Sequence, residues 1–154
     1  MKKILLLCVA AVCTVHASNS QAITNWGNSV QGVQLAITMT NSVFQVGSSS
    51  TVESVTTNSS TNTITVDISA PTMNLGVFLT NDTGKSYHVT TPMMIRGPRQ
   101  LVKIKPGEES AESIPVTFGE NIEPGDYTLK ATRHFSMNGK DFELVSNLLK
   151  VQLK

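Results

Sequence analysis

Cysteine is nearly absent from this chain. The two cysteines, Cys8 and Cys13, both lie in the apolar run close to the N-terminus. The rest of the chain therefore has no disulfide, no thiol nucleophile and no thiolate ligand for zinc. A lipid-modified cysteine would follow Gly, Ala or Ser. Here the preceding residues are Leu7 and Val12, so ordinary secretion is the better interpretation.

Long apolar runs are equally scarce. The one such run, Ile4–Val15, follows two lysines and is interrupted only by Thr14. It has about the length of a signal-peptide h-region, and it is shorter than the roughly 20 apolar residues that span a bilayer. Small residues at positions −3 and −1 allow cleavage after Ala17 or Ala22, and the polar stretch before Ala22 favours the second site.

These features predict a signal peptide over residues 1–22 and one mature domain over residues 23–154. We expect the mature protein to be secreted or periplasmic, with no membrane span after cleavage of the signal. Cleavage removes two of the 12 basic residues, which leaves 10 basic and 11 acidic side chains. That balance argues against a nucleic-acid partner, because such binding depends on a basic face.

Helical periodicity is missing as well, whereas alternation with period two recurs along the chain. Val33, Leu35 and Ile37 alternate with polar or small residues, and so do Ile64 and Val66. The segment that begins at 127 and the C-terminal segment repeat the pattern, with a slip of phase near residues 146–147 that is consistent with a bulge. The mature chain is also rich in Thr, Val, Ser and Ile, which favour strands.

Turn signals separate these segments at intervals of about 8–12 residues. The pair Asn138-Gly139 is the strongest hairpin signal, because both residues tolerate positive φ. Asp82-Thr83-Gly84 predicts a second hairpin. The spacing predicts an all-β fold, an immunoglobulin-like antiparallel β-sandwich of seven to nine strands.

One segment sharpens this prediction. In Pro124-Gly125-Asp126-Tyr127, a tyrosine follows a tight turn and opens a late strand, as in the tyrosine corner of immunoglobulin-like folds. We expect the Tyr127 hydroxyl to bond to nearby backbone, and Leu129 to take the inward position where antibody domains carry a cysteine.

The chain resembles bacterial secreted immunoglobulin-like or fibronectin-type modules. It is also weakly similar to the bacterial intracellular proteinase inhibitor family. The matching segments, which span about residues 40–135, are Phe44-Gln45-Val46-Gly47, Asn58, Asn81-Asp82-Thr83-Gly84, Pro106-Gly107-Glu108-Glu109 and Pro124-Gly125-Asp126-Tyr127. The resemblance implies a fold and not an activity. Export, and a segment without aromatic residues at 93–99, depart from the inhibitor pattern.

Sequence patterns typical of catalytic sites are scarce in this chain. His88 and His134 fall on separate predicted strands, and no serine lies in a nucleophile motif. Glu108, Glu109 and Glu112 cluster at a turn, and we interpret them as a solvated acidic turn instead of a hydrolase pair. Oxygen ligands for calcium are present without the spacing of a calcium motif. We therefore predict a non-enzymatic protein without catalytic residues, cofactor or metal.

The remaining candidate is a partner-contact loop. Met93, Met94 and Ile95 precede Arg96 and Arg99, and Met and Arg are enriched at interfaces. A plainer interpretation, which we favour, is a crossover loop that buries Met93 or Ile95 beneath two solvated arginines. The expected function is binding of an unknown protein or envelope component, or an envelope-associated structural role. The alternative is an extracytoplasmic proteinase inhibitor that acts through this loop.

Overall fold

The computed structural model describes residues 25–68, 75–89 and 100–154, and every regular element in these ranges is a β-strand. The predicted signal peptide and the loop Met93–Arg99 lie outside the described residues. The strands are β1 (Val33–Thr38), β2 (Val43–Phe44), β3 (Ser49–Asn58), β4 (Ile64–Asp67), β5 (Leu75–Asn81), β6 (Ser86–His88), β7 (Leu101–Ile104), β8 (Glu109–Thr117), β9 (Gly125–Met137), β10 (Lys140–Val145) and β11 (Leu149–Leu153).

These strands form two sheets, as predicted for a sandwich-like all-β fold. The smaller sheet has the order β1-β3-β8 and is antiparallel throughout. The larger sheet is built around β9, a strand of 13 residues that pairs with β4, β5, β10 and β11. At its margins β2 pairs in parallel with β11, β6 pairs with β5, and β7 pairs with β4.

The core lies where the inward-facing side chains of both sheets meet. Along β9 the alternate residues from Tyr127 to Met137 are all buried, while the intervening ones are half-buried or exposed. Val33, Leu35 and Ile37 on β1 are fully buried, as their alternation predicted. Alternation places Ala36 on the opposite face of β1, with the polar residues, yet Ala36 is also fully buried.

Both predicted hairpins are confirmed. Asn138 and Gly139 have φ values of 53° and 73°, and they join β9 to β10 with Lys140 opposite Met137. Positive φ at both central residues gives the turn a twist that matches the flanking strands. The Asp82-Thr83-Gly84 segment joins β5 to β6, with Thr80 opposite Ser86.

The predicted count of seven to nine strands is too low, because the described residues contain eleven. The two-residue β2 is too short to leave an alternation pattern, whereas β6 belongs to the predicted Asp82-Thr83-Gly84 hairpin. The alternation from Phe142 to Leu153 also predicts one long last strand with a bulge, and this prediction is wrong. Its phase slip divides it into β10 and β11, which pair with β9 in registers that differ by one residue.

Candidate functional site

A charged side chain lies inside the sandwich. Arg133 faces inward on β9 and is 1% exposed. Its two terminal nitrogens donate to the two carboxylate oxygens of Glu112, each at 2.8 Å. Nη1 also donates to Thr56 Oγ1 at 3.2 Å. Because Arg133 belongs to the larger sheet and both partners belong to the smaller one, these bonds join the two layers.

Glu112 corrects the sequence interpretation of the acidic turn. Glu108 and Glu109 are exposed, and Glu108 Oε2 accepts the Lys105 backbone N–H at 2.9 Å, as expected of a solvated turn. Glu112, by contrast, faces the interior, with 12% of its side chain exposed. The reason is alternation along β8, which turns Glu112 to the same side as the buried Ile114 and Val116.

Ser54 completes this inward polar cluster, which we define as Ser54, Thr56, Glu112 and Arg133. Ser54 lies directly opposite Glu112 in the β3–β8 register and is 1% exposed. Its hydroxyl and the Arg133 Nε form no hydrogen bond with the described residues. Nucleophilic catalysis needs a base within hydrogen-bond reach of the hydroxyl, and Ser54 has no such contact there. The cluster is arranged to hold the sheets together.

Among the described residues, neither His88 nor His134 joins a carboxylate cluster. His88 is at the end of β6, where its ring centroid lies 5.0 Å from that of Phe78. His134 is exposed on β9, with Nε2 4.0 Å from Glu143 Oε2. Within residues 25–68, 75–89 and 100–154, no group of three or more His, Cys, Asp or Glu side chains could hold a metal ion.

The side-chain oxygens considered for calcium serve the local structure. Asn81 Oδ1 accepts the Thr83 hydroxyl and the Lys85 backbone N–H, both at 2.8 Å, so it organises the β5–β6 turn. Asp126 Oδ1 accepts Gln152 Nε2 at 3.1 Å across two paired strands.

Asn58 begins a glycosylation sequon, and the structure gives its side chain a different role. The residue is fully buried at the end of β3, and its Nδ2 donates to the carbonyls of Asn62 and Ile104 at 2.8 and 2.9 Å. Its Oδ1 accepts the backbone N–H and the hydroxyl of Ser60. Because both the nitrogen and the oxygen of this buried amide are hydrogen-bonded, the side chain is not accessible for glycosylation in the folded protein.

The tyrosine corner is confirmed. Tyr127 is 4% exposed, and its hydroxyl donates to the Glu123 carbonyl at 2.7 Å. The ring meets that of Tyr87 edge-on at 6.2 Å, and Lys85 Nζ lies 4.9 Å from the centre of the Tyr87 ring. Burial raises the pKa of the Tyr127 phenol above its ordinary value. Leu129 is fully buried, as its predicted inward position requires.

Two depressions of the described surface lie where residues 39–43 run beside β11. The larger has a volume of about 470 Å³ and includes Val43, Asp126 and Lys150 in its lining. The smaller, of about 180 Å³, includes Met39 and Leu149. Neither lining contains a histidine.

The described residues on either side of the segment Met93–Arg99 both make backbone hydrogen bonds to strands or their ends. Val89 donates its backbone N–H to Val77 in the larger sheet and accepts the Thr117 N–H from the smaller one. Beyond the loop, the Gln100 carbonyl accepts the Ile68 N–H beside β7. The chain therefore leaves from the margin of both sheets and returns at β7.

No helix capable of crossing a membrane occurs in the portion of the chain that the structure describes.

Comparison with known proteins gives a likeness of fold alone. No family model and no curated protein matches this chain. The Northeast Structural Genomics Consortium target SoR45 superposes with a TM-score of 0.53 at 9% identity, over 78% of this chain and 86% of the target. The sporulation control protein Spo0M from Bacillus subtilis gives 0.52 at 10% identity over 81% of this chain, which spans half of the Spo0M chain.

Sequence reasoning missed two residues that organise the interior. Arg133 shares the parity of Tyr127, Leu129 and Ala131, so strict alternation already places a charged residue in the core. A buried guanidinium needs a carboxylate partner, which Glu112 on β8 supplies. Asn147 lies in the phase slip between β10 and β11, where its amide bonds to the backbone of Ile37 on β1. No sequence signal identifies that contact, because it joins residues 110 positions apart.

Proposed function

We propose that this chain is an exported, non-enzymatic β-sandwich of immunoglobulin-like topology that acts by binding a protein or envelope component. The observation that carries the proposal is that the inward polar cluster joins the two sheets. Arg133 and Glu112 pair through two hydrogen bonds across the sheets, so these buried charges join the layers. Catalytic groups are instead held in a pocket with access to substrate.

Two features support the immunoglobulin-like part of the proposal. The N-terminal part of the domain changes sheets, since β1 pairs with β3 in the smaller sheet while β2 pairs in parallel with β11 in the larger one. The tyrosine corner opens β9, a late central strand, as it does in immunoglobulin-like domains. Export is supported by the N-terminal lysines and the apolar run that follows them.

The experiment tests binding and its location together. The mature domain, residues 23–154, is immobilised and exposed to the solubilised envelope of its source organism. We expect one partner to be retained, and retention to be weaker for the double variant Arg96→Ala/Arg99→Ala. The matched control is Lys103→Ala/Lys140→Ala, which removes two exposed charges elsewhere and should retain the partner fully. The sequence predicts that Arg96 and Arg99 are solvated, and exposed charges contribute little to stability, so we expect both variants to melt like the wild type.

A second assay addresses the alternative functions. The same domain is incubated with a panel of secreted serine proteases. Inhibition that is lost in Arg96→Ala/Arg99→Ala would replace the proposal with a proteinase inhibitor. Turnover of substrate by the purified domain would overturn the non-enzymatic assignment.

A further inference from the structure

The strand β8 pairs with β3 on one side, and on its other side it pairs with no described strand. Its even-numbered residues direct their backbone groups toward β3. At one end of β8 the Glu108 carbonyl accepts the Asn58 N–H at 3.1 Å. At the other end the Phe118 N–H donates to the Ser48 carbonyl at 2.9 Å. Because backbone groups alternate in direction along a strand, the odd-numbered residues of β8 direct theirs outward.

This outward side is closed at the C-terminal end of β8. The Thr117 N–H donates to the Val89 carbonyl at 2.9 Å. Pro115 has no N–H, and its nitrogen lies on the outward side, where proline interrupts no bond of the β3–β8 ladder. The earlier part of the strand, residues 109–113, is the open β8 edge. Its outward-facing residues, each with one N–H and one C=O, are Glu109, Ala111 and Ser113.

The other described margins of the sheets are covered, short or charged. On β1 the Leu35 carbonyl accepts the Gly27 N–H, and Asn147 bonds to both backbone groups of Ile37. The strands β2 and β6 have only two and three residues. The strands β7 and β10 carry charges of the kind that edge strands use against pairing, namely Lys103, Lys140, Asp141 and Glu143.

The open β8 edge has fewer such obstacles to pairing. It contains no lysine, no proline and no bulge, and the small residue Ala111 lies at its centre. Its two charged residues are Glu109, which is exposed at one end, and Glu112, which faces inward to Arg133. A regular strand edge of this kind is a template for another strand.

We propose that two copies of this chain pair through the open β8 edge, antiparallel and related by a two-fold axis at Ala111. Each Ala111 then lies opposite Ala111 of the second copy, and Glu109 lies opposite Ser113 of the second copy. Such an interface is self-complementary, as a two-fold contact requires. Every outward N–H and C=O of the three paired residues meets a complementary group, and the two three-stranded sheets join into one of six strands.

The charges on β8 favour this register over its neighbours. An axis at Glu109 or at Glu112 would place that carboxylate directly opposite itself, and like charges directly opposite each other are destabilising. With the axis at Ala111, each of these glutamates lies opposite a serine, Ser113 or Ser110 of the second copy.

The backbone disfavours the two remaining registers. An axis at Ser113 would place Ala111 opposite Pro115, which has no N–H for the ladder. An axis at Ser110 would place Ser113 opposite Gly107, whose N–H already donates to the Asn58 carbonyl at 2.7 Å. The axis at Ala111 is therefore the one that pairs every outward group of the open β8 edge.

The size of this contact determines the kind of dimer that we expect. Stable complexes use roughly 20–30 residues on each side, whereas the open β8 edge is a short segment. The dimer should therefore be in concentration-dependent equilibrium with the monomer. This inference is independent of the proposed binding function, because it concerns only contacts between copies of the chain.

Single cysteine variants of the mature protein test the register, because residues 23–154 contain no cysteine. Directly opposite residues of a hydrogen-bonded antiparallel pair have Cα atoms about 5.5 Å apart, which suits a disulfide. We expect Ala111→Cys to form a disulfide-linked dimer under mild oxidation with copper phenanthroline. The matched control Glu109→Cys should stay monomeric, whereas Glu109→Cys/Ser113→Cys should cross-link. Equal cross-linking of the two single variants would overturn the inference.

Sedimentation equilibrium tests the same contact without oxidation. Ser113→Pro removes an outward N–H and leaves the β3 ladder intact, as Pro115 does. We expect it to raise the dimer dissociation constant about tenfold or more, because two symmetry-related hydrogen bonds are lost. The control Ser113→Ala keeps the N–H and should dimerise like the wild type. A wild type that stays monomeric at millimolar concentration would overturn the inference, and an envelope partner retained by that monomer would leave the proposed function standing.

Discussion

Arg133 illustrates how a single residue can join two sheets. A guanidinium buried to 1% exposure must be paired, since an isolated buried charge is very costly. Its planar fork matches the Glu112 carboxylate with two bonds of 2.8 Å, a geometry that a lysine cannot reproduce. The pair fixes how β9 in one sheet lies against β8 in the other.

Removing one member of this pair should lower the free energy of unfolding far more than removing both members would. Glu112→Gln leaves the Arg133 charge buried without compensation, and we expect a loss of about 3–5 kcal/mol in the free energy of unfolding measured in urea. The control Glu109→Gln, on the same strand but exposed, should change it by about 0.5 kcal/mol or less. Similar stability of the two variants would show that the ion pair does not form in solution.

Tyr127 is structural for a different reason, the burial of a large ring at a strand corner. Tyr127→Ala should lower the free energy of unfolding by about 3–5 kcal/mol, as large aromatic truncations in a core do. Tyr127→Phe should cost about 1 kcal/mol, because it removes only the bond to the Glu123 carbonyl. A urea melt of the Ala variant that matches the wild type would contradict this role.

The same residue predicts a pH dependence in the alkaline range. Because burial raises the pKa of the Tyr127 phenol, the folded state holds this proton more tightly than the unfolded chain does. The corresponding stability is fully present below the unfolded pKa of about 10 and is lost as the pH rises through the folded pKa. We expect wild type to lose stability more steeply above pH 10 than Tyr127→Phe. Parallel curves would contradict the prediction.

At the scale of elements, the break between β10 and β11 forms a contact of its own. Ser146 stays in register with Ala131, donating its backbone N–H at 2.9 Å and accepting the Ala131 N–H on its hydroxyl. Asn147 then turns away from β9. Its amide accepts the Ile37 N–H at 2.7 Å and donates to the Ile37 carbonyl at 3.1 Å, as a neighbouring strand would.

Asn147→Ala should therefore destabilise the margin of β1. Both backbone groups of the fully buried Ile37 lose their side-chain partner, and we expect a cost of about 2–4 kcal/mol. Hydrogen exchange at the Ile37 amide should become much faster. The control Asn62→Ala, at an exposed position, should leave that exchange rate unchanged. Slow exchange in the Asn147 variant would show that another group protects Ile37.

The elements that could be predicted from the sequence are those specified locally. The turn at Asn138-Gly139, the β5–β6 hairpin and the tyrosine corner depend on residues within a few positions of one another, and all three are confirmed. The bridge from Arg133 to Glu112 and the contact from Asn147 to Ile37 depend on how two sheets face each other. Alternation reveals that Arg133 faces inward, but it does not reveal the partner strand.

For the whole molecule, we propose an exported β-sandwich that acts by binding a protein or envelope component. In its interior, the buried ion pair of Arg133 and Glu112 joins the two layers. The sequence predicts one candidate contact surface, the loop Met93–Arg99, and that prediction lies outside the described residues.

One measurement tests the central claim most directly. The protein, tagged at its C-terminus, is cross-linked in cells of its source organism, captured, and examined by intact-mass and peptide mass spectrometry. We predict a chain that has lost residues 1–22, or 1–17, and that is cross-linked to a partner in the secreted or envelope fraction. A full-length chain retained in the cytoplasm without a cross-linked partner would contradict it.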